Sequence, residues 1–505
     1  MTEGRREQGA VPAGYSVALL NPDLAPSTPE RRTWTTWNIA ALWIGMAICI
    51  PTYTLASSLV DQGWTWQAAV GAVVLGNLVV LVPIVLNSHA GTRYGIPFPV
   101  LVRSSFGVLG ANVPALLRAV VACGWFGIQS WIGGWAIYKL LEVVWPGIAH
   151  LPALLPAAIG LNTGEAACFL LFWAINVWIV LRGMESIRLL ETWGSPFLLL
   201  VGAALFVWAW RRAGGLGPML ANPAARGHGG TGAPAITTVL GAGLTSAVAF
   251  WGTMALSIPD LSRFARSQKD QMVGQAIGLP VTMALFAFIG AAVTNATLVI
   301  FGQRIGDPIT LLTRVGGVAT MVVAMAGLMV ATLTTNIAAN IVAPANDFSN
   351  IRPGVISFRS GAMITAVIGI LMMPWKLYND AAAYIFTWLI GYGALLGPVG
   401  GIMIADYFVI RRRRIDVDAL YRRGGPYEYT RGINWIAMLA LALGVAPCVP
   451  GFLGALGTVH VAPVWAGIYN WAWFVGFGIA ATVHLGGTYA LRGAWYAGTA
   501  AEPAS

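Results

Sequence analysis

Apolar residues gather along this chain into about twelve long runs, separated by short polar stretches. The runs cover residues 37–60, 66–87, 113–145, 153–181, 193–210, 235–260, 277–302, 316–342, 355–374, 381–409, 433–453 and 463–489. A helix needs about 20 residues to cross a bilayer, and these runs meet that length. The pattern predicts an all-α polytopic membrane protein of about twelve transmembrane helices. No stretch between the runs is long enough for a soluble domain. The largest loops span 88–112, 211–234 and 410–432, so any chemistry must lie inside the bundle.

Composition agrees. Charged residues make up 10% of the 505 and hydrophobic ones 57%, whereas soluble proteins carry about 25% charged residues. Mean hydropathy is +0.72. The net charge of +10 does not point to nucleic acid, because the basic residues sit in short loops beside apolar runs. With the N-terminus in the cytoplasm, Arg93, Arg103, Arg182, Arg188, Arg263, Arg266, Lys269 and Arg411 to Arg414 all fall on the inner side, as the positive-inside rule requires. Arg211, Arg212 and Arg226 are exceptions. The polar tail Met1 to Arg32 lacks the short apolar core of a signal peptide. The expected location is a bacterial inner membrane, with both termini cytoplasmic. Cys49, Cys123, Cys168 and Cys448 lie in apolar runs without a CxxC pair, so neither a disulfide framework nor a zinc site is expected.

Two runs carry matching helix-breaking signals. The first has Gly45 followed by Pro51, and the sixth has Gly252 followed by Pro259, with Thr253 and Ser257 between. Backbone at membrane depth unwinds only where it lines a cavity or is buried in protein. Paired interruptions mark the binding site of transporters built from two repeats; each alone would also fit an ordinary proline kink.

Polar side chains concentrate in two further runs. Trp125 and Gln129 are four apart, and so share a helix face. The Gln129 amide needs a partner at this depth, either a neighbouring helix or a ligand. An indole beside an amide suits a flat ring with N–H and C=O edges. Thr332, Thr334, Thr335, Asn336 and Asn340 crowd the eighth run. Neutral oxygens from Thr334 and Thr335, completed by unwound carbonyls of the first run, suit a hard cation such as Na⁺; the hydroxyls could equally bond their own helix. Few carboxylates lie deep in the runs, Glu142 and Asp260 being near run ends, which favours Na⁺ over H⁺. Gly393, Gly397 and Gly401 give the tenth run a small face for close packing.

These stretches resemble the nucleobase:cation symporter-1 family of allantoin, uracil, cytosine and hydantoin permeases. The likeness is carried by Asn21 to Pro26, Arg32-Thr33-Trp34, Ala41 to Tyr53, Gly95 to Val100, Ala122 to Gly134, Thr332 to Asn350, Leu371 to Trp375 and Gly397 to Arg414. It runs collinearly through nearly the whole chain. The resemblance implies a leucine-transporter-type five-plus-five inverted repeat with broken first and sixth helices. The parts would be a tail at 1–36, repeats at 37–211 and 235–409, a basic cytoplasmic loop at 410–432, two extra helices at 433–489 and a tail at 490–505. It further implies that Trp125 stacks on the solute, Gln129 and Asn340 bond its amide edges, and Trp251 lines the other side; Asn336, four residues before Asn340 and on the same helix face, is expected to bind the solute as well. Na⁺ would be held by carbonyls of Gly45, Ile48 and Ala331 and hydroxyls of Thr334 and Thr335.

Two departures bear on the solute. Where allantoin permeases carry Asn after His, this chain has Ile48-Cys49, and hydantoin members carry Gln at the position of Cys49. Phe250 stands where the hydantoin transporter has Gly, which shrinks the room for a large 5-substituent. The expected activity is secondary transport of a compact nucleobase-like or hydantoin-like solute, coupled to Na⁺. Proton coupling, or an amino-acid carrier on the same scaffold, are the alternatives. No enzyme activity, organic cofactor or nucleic-acid partner is expected. The partners are a small solute and the bilayer, and the chain is expected to act as a monomer.

Overall fold

The computed structural model describes residues 15–61, 63–182, 199–221, 236–315, 317–378 and 383–491. Residues 1–14 and 492–505 of the two tails, Arg188, Arg226 and His228 lie outside the described residues. Among the described residues the regular structure is helical, with two isolated bridges, Trp34–Ala265 and Thr430–Ile433.

Each apolar run has a helical counterpart. The first run is α1 (Thr36–Ala47) and α2 (Ile50–Asp61). Next come α3 (Trp66–Tyr94), α4 (Asn112–Val144), α5 (Thr163–Arg182) and α6 (199–212). The sixth run is α7 (Ile236–Phe250) and α8 (Gly252–Ser257). Then follow α9 (Gln268–Phe301), α10 (Val318–Asn340), α11 (Val342–Ile351) and α12 (Phe358–Leu371). The last are α13 (Ala383–Ile410), α14 (Trp435–Ala455), α15 (Pro463–Asn470) and α16 (Ala472–Ala490). The fourth helix begins ten residues later than its apolar run, because Pro156 and Gly160 hold 153–162 in turns.

The first break is present: α1 and α2 meet at Ile48–Cys49 with a bend of 54°. Pro51 does not itself interrupt a helix. It occupies the first turn of α2, where its missing N–H has no intrahelical partner anyway. The second interruption falls at Trp251 (φ −99°, ψ 11°), before Gly252 rather than between Gly252 and Pro259. Ile258 keeps a helical conformation, with its N–H on the Met254 carbonyl at 2.8 Å.

Small residues let these helices approach closely. A Cβ on Gly274, Gly278 or Gly290 of α9 would strike Thr36, Ala40 or the Tyr53 carbonyl of the broken first span. On α4, Gly127 meets the Gly369 carbonyl and Gly134 the Phe169 backbone. Gly397 and Gly401 abut the backbone of Trp473 and Phe477, so the small face of α13 seats the last helix.

One end of the bundle is sealed by polar backbone contacts. Buried short helices Phe98–Leu101 and Arg103–Phe106 are clamped by Asn434, whose amide donates to the Ser105 carbonyl at 2.7 Å. The tail lies across this end: Ser16 N–H donates to the Tyr421 carbonyl at 2.8 Å, the Tyr421 hydroxyl to the Leu24 carbonyl at 2.7 Å, and Ser27 N–H to the Gly95 carbonyl at 2.8 Å.

Carboxylates at the ends of the apolar runs, or between them, are nonetheless buried in protein. Asp260, Asp347 and Asp406 are all buried, at 3%, 0% and 2% exposure. His484 is also buried inside α16, with Nε2 3.4 Å from Asp406 Oδ1, rather than near a span end.

Replacing Gly397 by Leu forces a side chain into the Trp473 backbone. Overpacking costs about 1–3 kcal/mol, so Gly397→Leu is expected to lower the thermal midpoint of the detergent-solubilised protein by several degrees, while Gly467→Leu, whose Cβ position is open, leaves it unchanged.

Candidate solute site

The break in the first span exposes backbone oxygens to the bundle interior. In a continuous helix the Cys49 N–H would reach the Gly45 carbonyl; here it bonds Ala47 at 3.0 Å. Likewise, Thr52 N–H goes to the Cys49 carbonyl at 3.2 Å rather than to Ile48. The Thr335 hydroxyl fills one gap, donating to the Gly45 carbonyl at 3.4 Å. Thr334 is buried on the same turn, and Ala331 lies one turn earlier on α10. The Gly45 carbonyl and the Thr335 hydroxyl thus form a small neutral-oxygen nest between α1 and α10. Thr332 takes no part, because its hydroxyl bonds its own helix at Leu328, 2.7 Å away.

Beside this nest is a small cavity of about 30 Å³. Its walls come from both interrupted spans and from α4 and α10: Cys49, Trp125, Gln129, Phe250, Trp251 and Asn340 all line it, with Thr335 at its edge. The structure therefore brings together the residues expected from sequence, except Asn336. That amide is turned away and bonds the Phe126 carbonyl at 3.3 Å, Ser130 Oγ at 3.2 Å and Asn176 Oδ1 at 3.1 Å. Its own oxygen accepts from Asn340 Nδ2 at 3.1 Å. Asn336 thus fixes Asn340 and ties α10 to α4 and α5. The i, i+4 spacing on which Asn336 was grouped with Asn340 places them together but does not decide which faces the void.

Trp125, Phe250 and Trp251 line the void, and further rings pack edge to face behind them. Trp125 meets Phe250 (5.3 Å, 68°), Trp388 (6.0 Å, 71°), Tyr384 (6.3 Å, 88°) and Tyr392 (6.4 Å, 71°). Trp251 meets Phe250 at 5.2 Å and Trp43 at 5.0 Å. Trp388, Tyr384 and Tyr392 were not singled out from sequence. They lie on α13, whose apolar run gave no sign of which rings point inward. Cys49 Sγ sits 3.3 Å from Thr52 Oγ1, a weak sulfur contact.

Two polar atoms on the lining are buried without a partner among the described residues: Gln129 Oε1, an acceptor, and Trp251 Nε1–H, a donor. Buried polar groups are rarely left unpaired, and each such group costs about 1–3 kcal/mol. A ligand offering both an N–H and a C=O would satisfy both.

A second cavity of about 610 Å³ lies towards the end opposite the tail, lined by Thr54, Asp61, Trp131, Asp307, Trp375 and Tyr384 among others. Tyr378 and Tyr384 stand between it and the small void. Tyr378 donates to Thr54 Oγ1 at 2.6 Å, and Tyr384 to the Pro51 carbonyl at 3.4 Å. The structure is closed over the small cavity, with a vestibule outside.

Gln129→Met removes an unpaired oxygen and is expected to leave the thermal midpoint unchanged or raised. Asn336→Leu unpairs Asn340 and Asn176 and is expected to lower it, by the equivalent of about 1–3 kcal/mol. Midpoints of the two purified variants check this.

The chain is similar to known proteins along most of its length. The family described as permease for cytosine/purines, uracil, thiamine, allantoin matches residues 26–476. A purine-uracil permease of Arabidopsis thaliana is 46% identical over 475 residues, covering 93% of this chain and 78% of its own. The allantoin permease of Bacillus subtilis is 40% identical over 462 residues, covering 91% of each. Among solved structures, Mhp1, a nucleobase-cation-symport-1 family transporter in a closed conformation with bromovinylhydantoin bound, superposes with a TM-score of 0.76 at 26% identity, covering 94% of this chain and 97% of that one. The fold is the all-α leucine-transporter-type architecture, and the relatives are permeases rather than enzymes. The chain is therefore a multi-pass membrane transporter and belongs to the nucleobase:cation symporter-1 family of cytosine, purine, uracil and allantoin permeases.

Proposed function

We propose that this protein imports a compact planar ring bearing adjacent N–H and C=O groups, of the uracil, allantoin or small-hydantoin class, together with Na⁺. The observation that carries the reading is the pairing of two unsatisfied buried groups, Gln129 Oε1 and Trp251 Nε1–H, on a void walled by aromatic rings. A ring with an amide edge presents the complementary donor and acceptor, and its faces suit Trp125. Asn340, held by Asn336, is the second amide for the solute edge. An amino acid would need partners for a carboxylate and an ammonium group, and the lining offers neither charge. The names of the relatives support the same solute class.

Phe250 and Cys49 set the choice within that class. Phe250 fills space beside Trp125, which favours a ring without a bulky substituent. Cys49 offers only a weak sulfur contact where an amide would give a strong one.

Na⁺ is the coupling ion in this reading. It is held by carbonyls of Gly45, Ile48 and Ala331 and by hydroxyls of Thr334 and Thr335. The freed carbonyl of Gly45 beside Thr335 supports it. The cation steadies the broken first span, which forms one wall of the solute void, so ion and solute favour the same state. The vestibule is the entry side. The sealed, tail-covered end is the cytoplasmic side of a bacterial inner membrane, as the basic loops suggest. One chain supplies the cavity, the vestibule and the seal, so a monomer suffices.

Trp125→Ala is expected to weaken solute binding at least about thirtyfold, given the area and ring contacts a Trp contributes, while the protein still inserts. Near-normal uptake would remove the stacking role. Thr335→Ala is expected to raise the Na⁺ concentration for half-maximal binding about tenfold, the equivalent of about 1.4 kcal/mol. Tryptophan-quenching titrations with uracil, allantoin and hydantoin, with Na⁺ or with choline in its place, decide both. Sodium-independent binding in the wild type would overturn the cation assignment.

A further inference from the structure

Below the solute void, towards the sealed end, lies a charge cluster with no counterpart in the readings so far. Arg118 on α4 and Asp347 on α11 form an ion pair at 2.8 Å, with both side chains at 0% exposure. Asp260, just past α8, is 3% exposed and accepts the Phe98 N–H at 2.9 Å through Oδ1. It lies within Coulombic reach of Arg118 and of Arg263, and Asp347 feels Asp260 in turn. The two sides of the seal thus each carry one acid and one base: Arg118 and Asp347 on the α4/α11 side, Asp260 and Arg263 on the broken sixth span.

The cluster is incompletely bonded. Among the described residues, Arg118 Nε and Nη2, Asp347 Oδ1 and Asp260 Oδ2 are all buried without a partner. A buried ion pair offsets its desolvation only when the remaining donors and acceptors are satisfied. In the closed state these four atoms are not satisfied, whereas water would satisfy each one if the sealed end opened. Across the seam Asp260 is drawn to Arg118 and repelled by Asp347, and all four atoms stand to gain from hydration, so the contact is poised between closed and open.

Its members are also wired to the solute site. Arg118 is seven residues, about two turns, before Trp125 on the same face of α4. Asp347 follows Asn340 by seven residues across the Ile341 kink (φ −113°). Asp260 ends the segment that begins with Trp251. Three of the four walls of the void, all but the broken first span, thus lead to a charge at the seam.

We propose that Arg118, Asp347 and Asp260 are positioning residues that latch the inner end of the broken sixth span to α4 and α11, so that rearrangement of the void walls is transmitted to the inner gate. This rests on the import function proposed above, in which the sealed end must open to release the solute.

The test uses Ala343→Cys, a 7% exposed position between Asn340 and Asp347, in the full-length purified protein. Its reaction with a polar maleimide is measured above that of the same chains lacking the new cysteine. Asp347→Asn and Asp260→Asn are each expected to speed labelling about fivefold or more, the lower bound of typical coupling between sites. The exchange Arg118→Asp with Asp347→Arg is expected to return the rate to within about twofold of the parent. If Asp347→Asn does not fold, Asp260→Asn decides alone, since its amide oxygen still accepts the Phe98 N–H. Unchanged labelling in a folded Asp260→Asn, or faster labelling that the exchange leaves uncorrected, overturns the latch and reduces the cluster to a static ion pair. No solute or Na⁺ enters the measurement, so an error in the solute assignment leaves its outcome intact.

Discussion

A main-chain N–H or C=O within a bilayer must find a partner inside the protein, and the rest of this structure follows from that constraint. Where the first span bends by 54° at Ile48–Cys49, two hydrogen bonds of a regular helix are re-routed and carbonyls turn towards the interior. Such a break survives only when enclosed. The enclosure is supplied by α9, whose glycines bring its backbone against α1 and α2, and by α10, whose Thr335 hydroxyl reaches Gly45. The polar interior that results is what a small polar solute and a cation can use.

The aromatic rings around this point do two jobs. They exclude lipid and water from the re-routed backbone, and they form flat walls. Trp125 touches four other rings, three of them on α13. Two tyrosines hydrogen-bonded to α2 close the void from the vestibule. Movement of α13 against α2 would therefore open the entry side and loosen the Trp125 wall together, which joins access to binding without a separate signalling element.

At the other end, polar satisfaction is uneven. The Asn434 clamp and the tail bonds are complete, while the Arg118–Asp347–Asp260 cluster is short of partners. A seal that is partly rigid and partly poised suits a protein that must stay closed in one state and open in another. The accessory helices α15 and α16 sit outside this cycle, packed through Gly397 and Gly401 of α13.

Much of this was legible in the chain. Helix length and apolarity gave each run a helical counterpart, and among the described residues seven helices, or nine with each bent pair as one span, are long and apolar enough to cross a bilayer. Gly45 with Pro51, and Gly252 with Pro259, marked the two interrupted spans, although the actual breaks fall one to three residues away. Proline tolerates a first helical turn, so it marks the neighbourhood of a break rather than its position. Helical spacing placed Trp125 and Gln129 on one face. The sequence alone could not decide that Asn336 turns to Asn176 while Asn340 faces the void, or that Trp388, Tyr384 and Tyr392 point inward. Nor could it show that Asp260, Asp347 and Asp406 are buried. Those outcomes depend on which helix lies opposite each face, and periodicity fixes a face but not its neighbour; only tertiary packing assigns the neighbour.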